Sequence, residues 1–305
     1  MSRAKETRGG ARPASRPPRP RSEAAQARRR FRVGVRLTIV GLVIALVVVG
    51  LGHVRRYVDA LPRHQVLPAE VGALTDGAPW LSREDLLAIR RDATIGRRLG
   101  IFHPALEATV SEAWARSPMV RRVRSVQKIY PNRVRLDLEI RRPVAAVPES
   151  GGGLVLVDRD GVRWPGRFDR VPARFGDRVL ALAGVSSAAP PPGEGWDDRR
   201  VREGVAVAVD LARSMSDALR KRAAIVAIDV SNVGAREPHA SEIVLRTAGG
   251  REIRWGRSSA SPHGAGELSV ARKLEHVASA LELYPDFENV AYIGVFANRL
   301  FVRVE

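Results

Sequence analysis

The chain contains no cysteine among its 305 residues. Disulfides, thiolate-bound metals and a cysteine nucleophile are therefore excluded. Histidine is sparse too: six are present, at 53, 64, 103, 239, 263 and 276, and no two have the HExxH or other paired metal-ligand spacing. Neither GxGxxG, GxxxxGK[ST] nor GxSxG occurs, so the sequence offers no glycine-rich phosphate cradle and no strained serine elbow. Aromatics make up 5% of the chain and none lies in residues 1–30, which leaves that basic stretch without a side chain for base stacking. Acidic residues are in short supply, 33 against 51 Lys and Arg, for a net charge of +18. No cofactor, small-molecule substrate or nucleic acid is expected.

The charge distribution says more than its sum. Residues 1–36 hold eleven Arg and Lys5 against Glu6 and Glu23, a surplus of ten out of the eighteen. Residues 1–30 are Arg, Pro, Ala, Ser and Gly with almost no large apolar side chain, too little to offset ordering entropy, so 1–36 is expected to be a disordered basic tail. Its simplest role is setting topology and attracting anionic lipid headgroups.

Directly after it, Leu37 to Val54 run without a formal charge, LTIVGLVIALVVVGLGHV. As a helix this is about 27 Å, close to the hydrocarbon thickness of a bilayer. Val, Ile and Leu lie on all sides, with no polar face of the kind a soluble helix needs. Residues 37–54 are read as a single transmembrane helix. A cleaved signal is one competing reading, with ARRRFR at 27–32 resembling a twin-arginine motif, and a buried soluble helix is the other. The charge asymmetry keeps the N-terminus in the cytoplasm and places the C-terminal bulk across the cytoplasmic membrane.

The remaining chain reads as α+β, with room for two or three folded units. Ser82 and Asp85 form a capping box ahead of a short helix. Pro104 at a first helical position, then Leu106, Val110 and Trp114, mark a second helix. Met119 to Tyr130 reads as a bulged strand and Pro131-Asn132 as a turn. Val134, Leu136, Leu138 and Ile140 then alternate with charges in a clear strand. With a weakly marked strand around Gln65 to Ala73, the order over 64–143 is strand, helix, helix, strand, strand. Residues 144–305 read as β-rich: a hairpin about Asp158–Gly161, a five-turn helix from Val201 to Leu219, and a buried strand over Ile225 to Val230. A hairpin over Ile243 to Gly256, a helix through Val270 to Leu281 and two terminal strand-like runs complete it. Ser125 and Lys128 have the S-x-x-K spacing but fall in a strand, Asp158-x-Asp160-Gly161 is too short for a calcium loop, and Asp197-Asp198 suit a helix start. Trp114, Trp164 and Trp255 are read as core.

The run SPMVRRVRSVQKIYPNRVRLDLEIRRPVAAV, with Pro118, Val120, Val123, Val126, Tyr130, Pro131, Val134, Leu136, Arg142, Pro143, Val144 and Ala145, resembles the end of a POTRA domain in the bacterial cell-division family FtsQ/DivIB. Arg141 departs from that pattern, where the family carries an acidic residue. The closing YIGVFANRLFVRV is similar to the family's terminal strands, with Gly294 in place of Asp and Phe296 in place of Arg. The resemblance implies a non-enzymatic scaffold at the division site. A POTRA domain would serve localisation, and the C-terminal sheet edge would hold small single-pass partners like FtsB and FtsL by strand addition. On that basis the partner candidates are Tyr292, Ile293, Val295, Phe296, Arg299 and Phe301, with Lys273 and Glu275 on the preceding helix. The POTRA candidates for other division proteins are Val120, Arg121, Val123 and Val126. A POTRA component of secretion or outer-membrane assembly and an exported enzyme are the alternatives.

Overall fold

The computed structural model describes residues 21–67, 71–74, 78–96, 98–235, 237, 240–262, 266–287 and 289–304. It divides into two compact units, Met1–Leu61 and Pro62–Glu305.

In the first unit a single helix, α1, runs Arg21–Ala60, 40 residues without a break. Its segment Arg28–Ala60 is long and apolar enough to cross a membrane. The helix starts at Arg21 rather than at Leu37, which corrects the expected disorder for residues 21–36; residues 1–20 lie outside the described residues. The reason is local. RSEAAQARRRFR is rich in Ala, Arg, Glu and Gln, good helix formers, and extending a formed helix costs far less than nucleating one.

The second unit is mixed α and β. Its first part contains β1 (Gln65–Val66), β2 (Val71–Leu74), α2 (Arg83–Asp92), β3 (Leu99–Gly100), α3 (Leu106–Ala115), β4 (Val120–Ile129) and β5 (Arg133–Ile140). The sheet order is β2-β5-β4, with β2 parallel and β4 antiparallel to β5. Ser82 caps α2 through the reciprocal bonds of a capping box with Asp85. The α3 helix begins at Leu106 with Ala105 as its cap, so Pro104 stands ahead of the helix instead of at its first position. Its Leu106, Val110 and Trp114 are buried against Val134, Leu136 and Leu138 of β5. Register shifts between Val120 and Arg122 and between Val123 and Ser125 break the alternation of β4, which is why its sequence does not alternate cleanly.

An eight-stranded sheet follows, in the order β13-β12-β11-β10-β9-β8-β6-β7. Its strands are β6 (Pro143–Pro148), β7 (Leu154–Asp158), β8 (Leu180–Ala183), β9 (Ile225–Asp229), β10 (Ile243–Thr247), β11 (Glu252–Gly256), β12 (Val290–Gly294) and β13 (Phe301–Val304). Three helices accompany them: α4 (Arg199–Ser214), α5 (Asp217–Ala223) and α6 (Val270–Leu283). The apolar runs of β6 and β7 are buried on both faces. Ala145, Val147, Val155 and Val157 join the core under α4 and α6, while Ala146 and Leu156 face the other way into the core of the three-stranded sheet. Trp80, Trp164 and Phe175 meet there with ring centroids 5.8–5.9 Å apart. Trp114, Trp164 and Trp255 are all core residues.

The five-turn helix expected from Val201 to Leu219 is two helices. Met215 leaves helical geometry, and Ser216 accepts from Leu219 N–H to start α5, a hydroxyl competing successfully with continuation of the turn. Asp198 caps α4 by accepting from Arg200 N–H. Close to the sheet, Gly204 leaves room for Leu182 and Val230, whose methyls lie 2.8 and 3.0 Å from where a Cβ would stand. The β9 strand, expected to be buried, keeps Val226 exposed, because one face of this part of the sheet is open.

Candidate partner-binding edge

The sheet order leaves β13 at one end, paired on one side only. At the opposite end β7 has bridges Leu154 to Phe168 and Val157 to Arg163 along its outer side. The β12 strand is enclosed between β11, which it pairs in parallel, and β13, which it pairs antiparallel. Its backbone groups are therefore committed, and at this end of the eight-stranded sheet a further strand would add beyond Phe301–Val304.

Side chains on β12 divide by pleat. Ile293 is 1% exposed and Val295, just after the strand, is 0% exposed, both in the core with Leu274 and Val277 of α6. Neither can touch a partner by its side chain, which corrects their place among the candidates. Tyr292 faces the open side of the sheet. The registers Arg246–Glu252–Tyr292–Arg303 and Val244–Arg254–Gly294–Phe301 set two rows of neighbours across four strands. The guanidinium of Arg254 lies 3.5 Å from the Tyr292 ring centroid and that of Arg303 6.0 Å from it, so the ring has two cations within reach, Arg254 the closer. Arg246 bonds Asp229 at 2.8 Å and Glu252 at 3.2 Å on the same face. Burial opposes the charge of Asp229, and hydrogen bonds from Ser231 and Arg246 outweigh it, so its pKa falls below the ordinary carboxyl value.

Phe296, Arg299 and Phe301 are exposed, Phe296 by 40% and Phe301 by 52%. Gly294 lies between the two phenylalanines: a Cβ on it would meet Phe296 Cε1 at 3.3 Å and Phe301 Cβ at 3.5 Å. Phe296 is also seated on Gly256, which has a positive φ of 87° and would place a Cβ 2.6 Å from Phe296 Cβ. A glycine at 294 thus leaves space for this aromatic packing. Phe296, Arg299 and Phe301 are thus the exposed candidates at this end of the sheet.

On α6 the two candidates differ. Glu275 is exposed and paired with Arg272 at 2.6 Å. Lys273 is 1% exposed; its Nζ donates to Glu267 Oε1 at 2.7 Å and to the Arg257 carbonyl at 3.0 Å, and lies 5.0 Å from the Trp255 ring centroid. It ties the Arg257 carbonyl and the Glu267 carboxylate to the helix and is no surface residue, a second correction. Burial pushes its pKa down, only partly offset by Glu267.

The candidates on β4 also separate. Val120 is buried in the core. Arg121 bonds Glu139 at 2.6 Å and Asp160 at 2.6 Å, so its fork is already occupied. Val123 and Val126 are half-buried, while Arg122, Arg124 and Lys128 are exposed on a strand at the end of its sheet. Lys128 pairs with Glu107 at 3.2 Å, and Ser125 and Lys128 stand on a strand, not on the helix face their spacing would need for joint chemistry. Asp158 accepts from the backbone N–H groups of Asp160 and Val162 and pairs with Arg141 at 2.8 Å. Arg141 thereby braces the turn through Asp158. Among the described residues no group of three or more His, Asp or Glu is placed to hold a metal.

Arg254 and Arg303 were missed from sequence because they gain meaning only through the registers of β11 with β12 and of β12 with β13. No protein-family model matches this chain, and no curated protein matches it.

Proposed function

We propose that this protein is a non-enzymatic scaffold of bacterial septum formation, of the FtsQ/DivIB kind, anchored in the cytoplasmic membrane by α1. Its C-terminal bulk lies on the periplasmic side. It recruits small single-pass, coiled-coil division proteins by strand addition to β13, and other division proteins through a POTRA-like domain that includes β2, α2, α3, β4 and β5. The observation that carries the reading is the unpaired outer side of β13 with Phe301 and Val304 exposed along it. Such an edge is an aggregation liability unless something covers it. Main-chain hydrogen bonds would supply affinity, and the alternation of Phe301, Val302, Arg303 and Val304 would set register. The order β2, α2, α3, β4, β5, interrupted between the helices by the two-residue β3 that pairs with β1 in a separate sheet, together with the spatial order β2-β5-β4, supports the POTRA-like part.

The absence of native cysteine makes the topology directly testable. Single cysteines at Ser15 and at exposed Ser150 should react with a membrane-impermeant maleimide oppositely: Ser150→Cys in cells with a permeabilised outer envelope, Ser15→Cys only after membrane lysis. Equal labelling would contradict the anchor. A photo-crosslinking residue at Val304 should capture small single-pass proteins, and the same residue at Glu149 should not. Capture from Glu149 alone would move the site away from the terminal edge.

A further inference from the structure

A second surface stands apart from the edge of β13. Where β5 passes into β6, a cavity of about 350 Å³ opens against α4. Its apolar floor is Ile140, Val144, Val209 and Ala212. Arg121, Arg141, Arg142, Arg159 and Arg213 surround it, with Glu139 and Asp158 as the acidic lining residues.

The charges are not balanced in place. Glu139 takes Arg121 at 2.6 Å, Arg122 at 2.7 Å, Arg159 at 2.7 Å and Arg124 at 3.3 Å, and Asp158 takes Arg141 at 2.8 Å. Both carboxylates are consumed by these bonds. Arg142 and Arg213 are exposed, and no carboxylate among the described residues pairs with either. Two free guanidinium forks thus flank an apolar hollow of the size that binds small ligands or a few side chains.

We propose that this hollow docks an acidic peptide segment of a partner protein, an aliphatic side chain entering over Val144, Val209 and Ala212 while flanking carboxylates pair with Arg142 and Arg213. The apolar floor favours such a segment over a purely polar anion, and bidentate carboxylate pairing gives it orientation. The proposal is independent of strand addition at β13.

The test uses the full chain in lipid nanodiscs and a fluorescein-labelled Glu-Leu-Glu-Glu-Leu-Glu peptide, followed by fluorescence anisotropy at low ionic strength with empty nanodiscs subtracted. The parent should bind at least about tenfold more tightly than Arg142→Glu/Arg213→Glu. It should also bind more tightly than Ala212→Trp, which fills the floor without changing charge, and should prefer the peptide to its Glu-Ser counterpart. Phe301→Asp should bind like the parent. Equal binding by the parent and either pocket variant overturns the proposal, as does equal binding of the Glu-Ser peptide, which would mean diffuse electrostatic attraction. Loss of binding in Phe301→Asp would place the peptide at the sheet edge. Saturable binding of polyphosphate but not of the peptide would reassign the pocket to phosphate polymers.

Discussion

Lys273→Met separates a structural lysine from a partner-contacting one. The substitution keeps an unbranched chain one atom shorter and removes the ammonium that joins Glu267, the Arg257 carbonyl and the Trp255 face. Breaking a fully buried ion pair by removing one partner costs about 3–5 kcal/mol. Glu267 is 17% exposed and still accepts from Arg257 N–H at 3.1 Å, so the low end, about 3 kcal/mol, applies. In a domain of 150–250 residues that corresponds to a fall in Tm of roughly 6–12 °C. Adding Glu267→Gln should recover most of the loss, because the unpaired carboxylate and not the missing lysine is what costs energy. The pH dependence follows from the lowered pKa. Between that value and the ordinary 10.5 the unfolded chain holds the proton that the folded chain has released, so stability gains with rising pH in that window. Lys273→Met should lose this alkaline gain. Thermal melts of the full chain in detergent followed by circular dichroism measure both, with partner recovery scaled to folded protein. An unchanged Tm together with lost partner recovery would refute the reasoning and return Lys273 to the surface.

Three further outcomes are expected. Glu139 sits in a ring of arginines; burial opposes its charge, but hydrogen bonds from Arg122 and Arg124 and the charges of Arg122 and Arg121 prevail, and its pKa lies below 4.5. Its contribution is therefore present above pH 4.5 and lost as pH falls below it, and Glu139→Gln should flatten the acid limb of a Tm-against-pH profile. Gly184 has φ of 88° and would put a Cβ 2.5 Å from Ser231 N, so Gly184→Ala should lower the urea midpoint by the equivalent of about 2 kcal/mol or more. A lysine at Val47, inside the apolar helix, should cost insertion about 3 kcal/mol and raise the alkali-extractable fraction of the protein.

Local patterns carried far in this chain. The capping box at Ser82, the Leu106–Val110–Trp114 stripe and the β10–β11 hairpin were legible because each depends on residues near in sequence. The break at Met215-Ser216 was hidden, since the apolar stripe continues across it and only the Ser216 cap reveals two helices. The start of α1 was hidden by charge, which argues for solvation and not against helix. At the edge, Tyr292, Phe296, Arg299 and Phe301 were legible as candidates, whereas the inward Ile293, Val295 and Lys273 could not be sorted from them. Pleat direction at the end of a bulged strand depends on register with β13, where a shift falls between Val290 and Tyr292. Charge alone gives Lys273 a surface reading; its burial goes with partners that lie ahead of the helix, Glu267 six residues and the Arg257 carbonyl sixteen residues before it.

The strand-addition reading is tested most directly by co-purification of the full-length protein from mild-detergent membranes beside Phe301→Asp, with partners identified by mass spectrometry. Small single-pass coiled-coil proteins should accompany the parent and be lost from the variant, whose fold is checked by an unchanged Tm. Recovery of the same proteins with a folded Phe301→Asp, or their absence from the parent, would contradict it.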